Sequence, residues 1–360
     1  MDDHTRYWVG FNLVKGIGPV RLQALIDSLG DVRSAWQASA GQLRSAGLSS
    51  RLTSRVIQVR QSQDLDQLLD EIRHRGLTVL TWADPDYPER LREIPQSPPV
   101  LYLSGSLAEE DQAAVAVVGT RRMTSYGRQA AEEISRFLAR SGVTVVSGLA
   151  RGVDGVAHRA ALEMEGRTLA VLGSGVDRIY PPEHRGLAGE ISRRGAVISD
   201  YPLGTPPDGS NFPPRNRIIS GLSLAVVVIE AGRKSGALIT ARYAAEQGRE
   251  VFALPGKIYA PESKGTNYLI RQGAHPLTAP EQITDFLELI GADPGGAAQR
   301  ELPANSTEAA LYEILGADPL HVDEICVRSG LSAAEVTAAL TVMELKGLVR
   351  KAGGMKYHSV

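Results

Sequence analysis

Basic residues recur in this chain where a run of β-branched residues ends and a helix begins. AVAVVGTRRMTSYG places Arg121 and Arg122 directly after Gly119 and Thr120, and VTVVSGLARGVDG places Arg151 behind Ser147 and Gly148. LAVVVIEAGRKSGALITARYAAEQG presents Arg233, Lys234, Ser235 and Gly236 at a further junction of the same kind. Small residues let the backbone approach a ligand, the N–H groups of a helix start favour an anion, and arginine adds a planar cation, so the chemistry is phosphate binding. A fourth segment, SNFPPRNRIISGLS, sets Phe212 before a proline-initiated helix whose first turns carry Arg215, Asn216 and Arg217. An aromatic face beside cations suits a single nucleic-acid strand, in which every base offers a π-face and every nucleotide a charge. Taken alone, the same segment fits a hydrophobic staple with surface arginines better; the further cationic loops shift that balance.

These loops need a scaffold that brings them to one place. Strand, loop and helix alternate, with strands expected near 115–118, 143–147, 168–172, 196–199, 224–230 and 250–254. Consecutive units of this kind put their loops on one edge of a parallel sheet, and continuous apolar strands require cover on both faces. The fold class expected is α/β, a Rossmann-like doubly wound and mainly parallel sheet, over residues 79–290. Before it, residues 1–78 show apolar residues at three- and four-residue spacing, as in a small helical domain of SAM-like or helix-hairpin-helix-like type. Its turn Gly16-Ile17-Gly18-Pro19 suits either simple packing or a DNA phosphate. Residues 291–306 are rich in Gly, Ala and Pro and read as a linker. Residues 307–360 suggest a winged-helix domain whose helix Ala333–Leu345 carries Glu335 and Glu344 but no Arg or Lys, a poor match to duplex reading.

Composition narrows the function classes. The net charge of -2 over 360 residues supplies no general basic field, so a polyanion would need a local cluster of cations. Cys326 is the single cysteine, which excludes an intramolecular disulfide or a Cys-based zinc site and fits a reducing cytoplasm; no apolar run is long enough to span a bilayer. Gly173-Ser174-Gly175 begins a dinucleotide fingerprint, but Arg178 stands where the third glycine belongs, and no Walker A loop occurs. Asp154 and His158 lie one helical turn apart and could act as acid and base, though that spacing more often braces its own helix. No metal-ligand spacing is present, and neither metal nor cofactor is expected.

In order along the chain, VGTRRMTSYG, SGLARGVDGVAH, LGSGVDRIYP, SDYPLGTPP, FPPRNRIISGLS, EAGRKSGALITARYAAEQGREVFALPG and NYLIRQGA resemble the bacterial DNA-processing protein A family. The resemblance implies a protein of natural transformation that binds incoming single-stranded DNA, protects it and helps load the RecA recombinase, with single-strand-binding protein as a further partner. It implies no enzymatic turnover. It carries DNA contact onto Arg121 and Lys234, with Phe212, Arg215 and Arg217 lining the same pocket. It also implies a homodimer through the 267–274 segment, with Leu269 and Ile270 supplying apolar contact. The phosphates would be held by backbone amides of Gly119, Thr120 and Gly148. The competing reading is a nucleotide-binding enzyme of the phosphoribohydrolase type, whose P-G-G-x-G-T-x-x-E loop ends in a catalytic acid that E-A-G-R-K-S-G-A-L lacks.

Overall fold

The computed structural model describes residues 4–292, 306–316, 319–345, 349–351 and 354–359. Its contacts divide into two compact units, Met1–Pro294 and Gly295–Val360. From 293 to 305 the expected linker lies outside the described residues.

The first unit is built on a nine-stranded sheet. Its strands in chain order are β1 (Leu77–Thr81), β2 (Val100–Gly105), β3 (Ala114–Val118), β4 (Thr144–Ser147), β5 (Thr168–Val171), β6 (Ala196–Ser199), β7 (Ala225–Val228), β8 (Glu250–Ala253) and β9 (His275–Pro276). They lie in the order β1-β2-β6-β5-β4-β3-β7-β8-β9. Strands β6 to β9 and those between them pair in parallel, while β1 with β2 and β2 with β6 are antiparallel. From β3 the chain winds outward through β4, β5 and β6, then returns to the other side of β3 with β7. The gap above β3 and β7 is therefore the topological switch point, where the loops diverge and leave a crevice.

Period-two alternation along the strands sends side chains to two different cores. Val115, Val117, Val145 and Val227 pack against the helices Ser125–Arg140 and Val153–Glu163. Ala116, Val118, Val226 and Val228 pack against Phe212–Gly221 and Ala237–Glu246. Every residue of β3, β4, β5, β6 and β7 is buried, as a doubly covered sheet demands.

Six helices between Thr5 and His74 precede the sheet. Phe11, Leu25, Leu43 and Ile72 share a core with Tyr102, Ala170 and Val197, so this helical segment packs onto the sheet within one compact unit. The second unit has the helices Ser306–Ile314, Val322–Ser329 and Ala333–Leu345. Its three-stranded sheet is formed by β10 (Leu320–His321), β12 (Lys356–Ser359) and β11 (Val349–Lys351) in that order, a winged helix around Leu311, Ile325, Leu340 and Met343. Among the described residues no single helix is long and apolar enough to cross a membrane.

Candidate nucleic-acid interface

A cavity of about 1040 Å³ opens at the switch point. Loops 119–122 after β3, 232–236 after β7, and the start of the helix Phe212–Gly221 all line it. Four cations, Arg121, Arg122, Arg215 and Lys234, face one carboxylate, Asp154, among its lining residues. That local excess of positive charge, in a chain of net charge -2, marks the cavity for an anion. Arg121, Arg122 and Lys234 are exposed, and among the described residues they form no ion pair, so all three can meet a ligand.

The aromatic wall is composite. Phe212 is half-buried, with Tyr180 at 5.7 Å between ring centroids and the Arg121 guanidinium 5.3 Å from its own ring centre. Gly173 packs beneath it: a Cβ there would stand 2.8 Å from Phe212 Cδ1. The Gly-Ser-Gly run that resembles a dinucleotide fingerprint thus makes room for the phenylalanine.

Two buried carboxylates hold the loops. Glu230, 3% exposed at the end of β7, accepts from Thr124 N at 2.9 Å and Thr124 Oγ1 at 2.5 Å, while its main-chain oxygen accepts from Thr120 N at 2.8 Å. One residue therefore grips both ends of the loop that carries Arg121 and Arg122. Thr124 in turn caps the helix Ser125–Arg140 by accepting from Gly127 N. Asp154 accepts from Gly148 N at 3.1 Å and Ala150 N at 3.4 Å, and burial holds its carboxyl above the usual range.

These bonds reassign several residues that the sequence places at the ligand. The amides of Thr120 and Gly148 already have acceptors inside the protein, so neither is free for a phosphate. Ser147 is fully buried and its hydroxyl donates to Val117 O at 2.7 Å; it does not reach the cavity. Arg151 pairs with Glu183 at 2.5 Å and lies outside the main cavity, as does Arg233. Asn216 lines the cavity, but its amide donates to Gly236 O at 3.3 Å, which ties the helix to the lysine loop. Ser235 lines the cavity, its hydroxyl accepting from Ala237 N and keeping its own O–H to donate.

Arg215 and Arg217 differ most from surface charges. Arg215 is 4% exposed and donates to Gly148 O and Val171 O beneath Phe212, where burial pushes its guanidinium down to about 10. Arg217 turns away from the cavity and pairs with Asp200 at 2.8 Å, with both side chains largely buried. Its role is in the fold. Arg217→Met should lower stability by about 3 kcal/mol, because Asp200 is left buried without its cation. Urea unfolding measures this, and a parent-like midpoint would contradict it.

Sequence reasoning missed Asp154 as a loop anchor, Glu230, and Tyr180. Tyr180 lies inside the LGSGVDRIYP motif, and its aromatic ring was the available signal. The acid-base reading of Asp154 with His158 loses its geometry: His158 is fully buried against Thr168 Oγ1 at 2.7 Å, and burial pushes its imidazole down to about 3.

Comparison with known proteins adds to this geometry. Residues 78–288 match the family of DNA recombination-mediator protein A, and residues 295–355 match the DprA winged helix domain. Protein Smf of Synechocystis sp. is 38% identical, the match covering 98% of this chain and 98% of that protein. Protein Smf of Escherichia coli is 42% identical over 74% of each. The X-ray structure of DNA processing protein A from Streptococcus pneumoniae superposes with a TM-score of 0.68 at 32% identity, over 79% of this chain and 98% of the other. A structure of DNA processing protein A from Helicobacter pylori, described by its unique single-stranded DNA binding mode, gives a TM-score of 0.53 at 31% identity, over 59% and 96%. A switch-point cavity rimmed by cations, carried on a chain that matches in both its parts, leads to one assignment: the chain belongs to the DNA recombination-mediator protein A family.

Proposed function

We propose that this chain binds single-stranded DNA in the switch-point cavity, protects it during natural transformation and helps load the RecA recombinase in the cytoplasm, without catalysing a turnover. The observation that carries the reading is the meeting of three cations, free of ion pairs among the described residues, with the Phe212–Tyr180 wall in one cavity. Phosphates meet Arg121, Arg122 and Lys234 while bases rest beside Phe212; these groups address backbone and π-faces, so sequence preference is low. The single-strand binding described for the Helicobacter pylori relative supports the same reading. The phosphoribohydrolase alternative finds no support at this loop, because the acid at the end of β7, Glu230, is committed to Thr124.

The test compares single- and double-stranded DNA on the full chain and on residues 1–294. Residues 1–294 alone are expected to retain single-strand binding, with affinity falling steeply as salt rises through counterion release. Loss of single-strand binding with the second unit would overturn the reading.

We further propose a homodimer through the 267–274 segment, which begins on the helix Lys264–Arg271. Leu269 and Ile270 are half-buried, with Leu269 packed partly against the protomer's own core, while Tyr268 is 53% exposed. An apolar residue left outside on this helix supports an interface. Leu269→Arg should shift the mass measured by light scattering towards monomer, and an unchanged mass would place the interface elsewhere.

A further inference from the structure

We propose that the 15–19 turn of the N-terminal helices, together with the cleft beneath it, binds a second stretch of the same DNA strand as it leaves the cation-rimmed cavity. The inference rests on the single-strand reading of that cavity. Its starting point is charge: residues 15–60 hold seven lysines and arginines against Asp27 and Asp31, although the whole chain is at -2. Three of these cations gather at the turn. Arg21 Nη1 donates to Gly16 O at 2.7 Å, Arg55 Nη1 donates to Lys15 O at 2.9 Å, and Lys15 is exposed. Among the described residues none of the three forms an ion pair.

The backbone of the turn is open to an anion. Gly16 has φ +105, Gly18 faces open space where a Cβ would stand, and Pro19 begins the helix Pro19–Leu29 with no capping side chain and no acid in its first turn. Its first N–H groups have no partner along the helix. The arginines hold the turn's carbonyls back, which leaves the positive side of the peptide groups for phosphate.

Below the turn lies a cleft of about 540 Å³, large enough for a nucleotide. Trp8, Tyr201 and Asp200 help to line it. Trp8 is 7% exposed, and its Nε1 has no hydrogen-bond partner; neither has Asp200 Oδ1. Both atoms are themselves buried, so it is the aromatic side chains of Trp8 and Tyr201 in the lining that suit a base better than an aliphatic ligand. The two carboxylates lining the cleft are offset: Asp200 pairs through Oδ2 with Arg217, which lines the cleft too, and Asp208 accepts from Ser210 N and Oγ.

Continuity with the first cavity decides the occupant. Pro207, Gly209 and Phe212 line the switch-point cavity, while Asp208, Ser210 and Asn211 line the cleft. A single short segment is therefore the wall between them. A strand seated beside Phe212 passes into the cleft by crossing that wall, and no duplex is needed.

The experiment measures binding of the full chain to oligothymidylates of about 6 and about 20 nucleotides, lengths that span the range of single-strand sites. Lys15→Ala removes a cation, and Val20→Glu puts a carboxylate on an exposed first-turn position, which favours the helix while repelling phosphate. Both variants should bind the short oligonucleotide like the parent and the long one about tenfold more weakly, with the salt slope reduced by about 0.7 for each phosphate that is no longer neutralised. Parent-like binding of the long oligonucleotide by both variants would overturn the proposal, as would an equal loss for both lengths. A parent chain that binds neither oligonucleotide would overturn the cavity reading as well.

Discussion

Arg121→Ala and Lys234→Ala are each expected to weaken single-stranded DNA binding by about tenfold to a hundredfold, with the protein's unfolding unchanged. A charge-assisted hydrogen bond contributes about 1.5–3 kcal/mol, and about 1.4 kcal/mol corresponds to a factor of ten in affinity. Both side chains are exposed and, among the described residues, hold no internal ion pair, so their removal costs the fold little. Fluorescence anisotropy with labelled oligonucleotide at fixed salt measures the effect. Each variant should also flatten the salt dependence, because a phosphate that keeps its counterion releases none on binding. Two folded variants that bind like the parent would remove the cavity from consideration. The contrast with Arg217 is instructive, since that arginine should register in urea and these two in binding.

Gly152→Ala should have the second large effect, on stability and binding together. Gly152 has φ +81, and a Cβ there would stand 2.8 Å from the Arg121 backbone and against the carbonyl oxygen of Thr120. The strained backbone costs about 1–3 kcal/mol and the overpacking about as much again. Relief comes by moving the loop, which the Val153 N to Thr120 O bond at 3.2 Å otherwise holds in place. The expected result is a lowered urea midpoint and a loss of single-strand affinity comparable to that of Arg121→Ala. Unfolding and binding that both match the parent would show that the two loops tolerate separation.

Six of the seven parallel strands and their loops were legible because β-branched runs such as Ala225–Val228 end abruptly in glycine-containing loops. The switch point was less so, since it depends on β7 returning beside β3, which no local pattern records. β9, only two residues long, left no periodicity to read. At the site, Arg121 and Lys234 were legible as cations on helix-starting loops. Arg215 and Arg217 misled because charge ordinarily signals surface. The helix Phe212–Gly221 is buried from Arg215 onward, against the sheet and beside the helix Ala237–Glu246, and its arginines satisfy main-chain carbonyls there. Ser147 misled for a related reason: the strand end is covered, so a small polar residue turned inward.

Glu230 has a further consequence for anyone redesigning this cavity. Its carboxylate fits only because Gly127 lacks a Cβ, its partner Thr124 also caps a helix, and its own chain leads directly into Lys234. Substitutions at these positions cannot be treated as independent choices, because groups sharing one hydrogen-bonded network do not add. The arginine loop and the lysine loop form one module for engineering purposes, to be transplanted or diversified as a set.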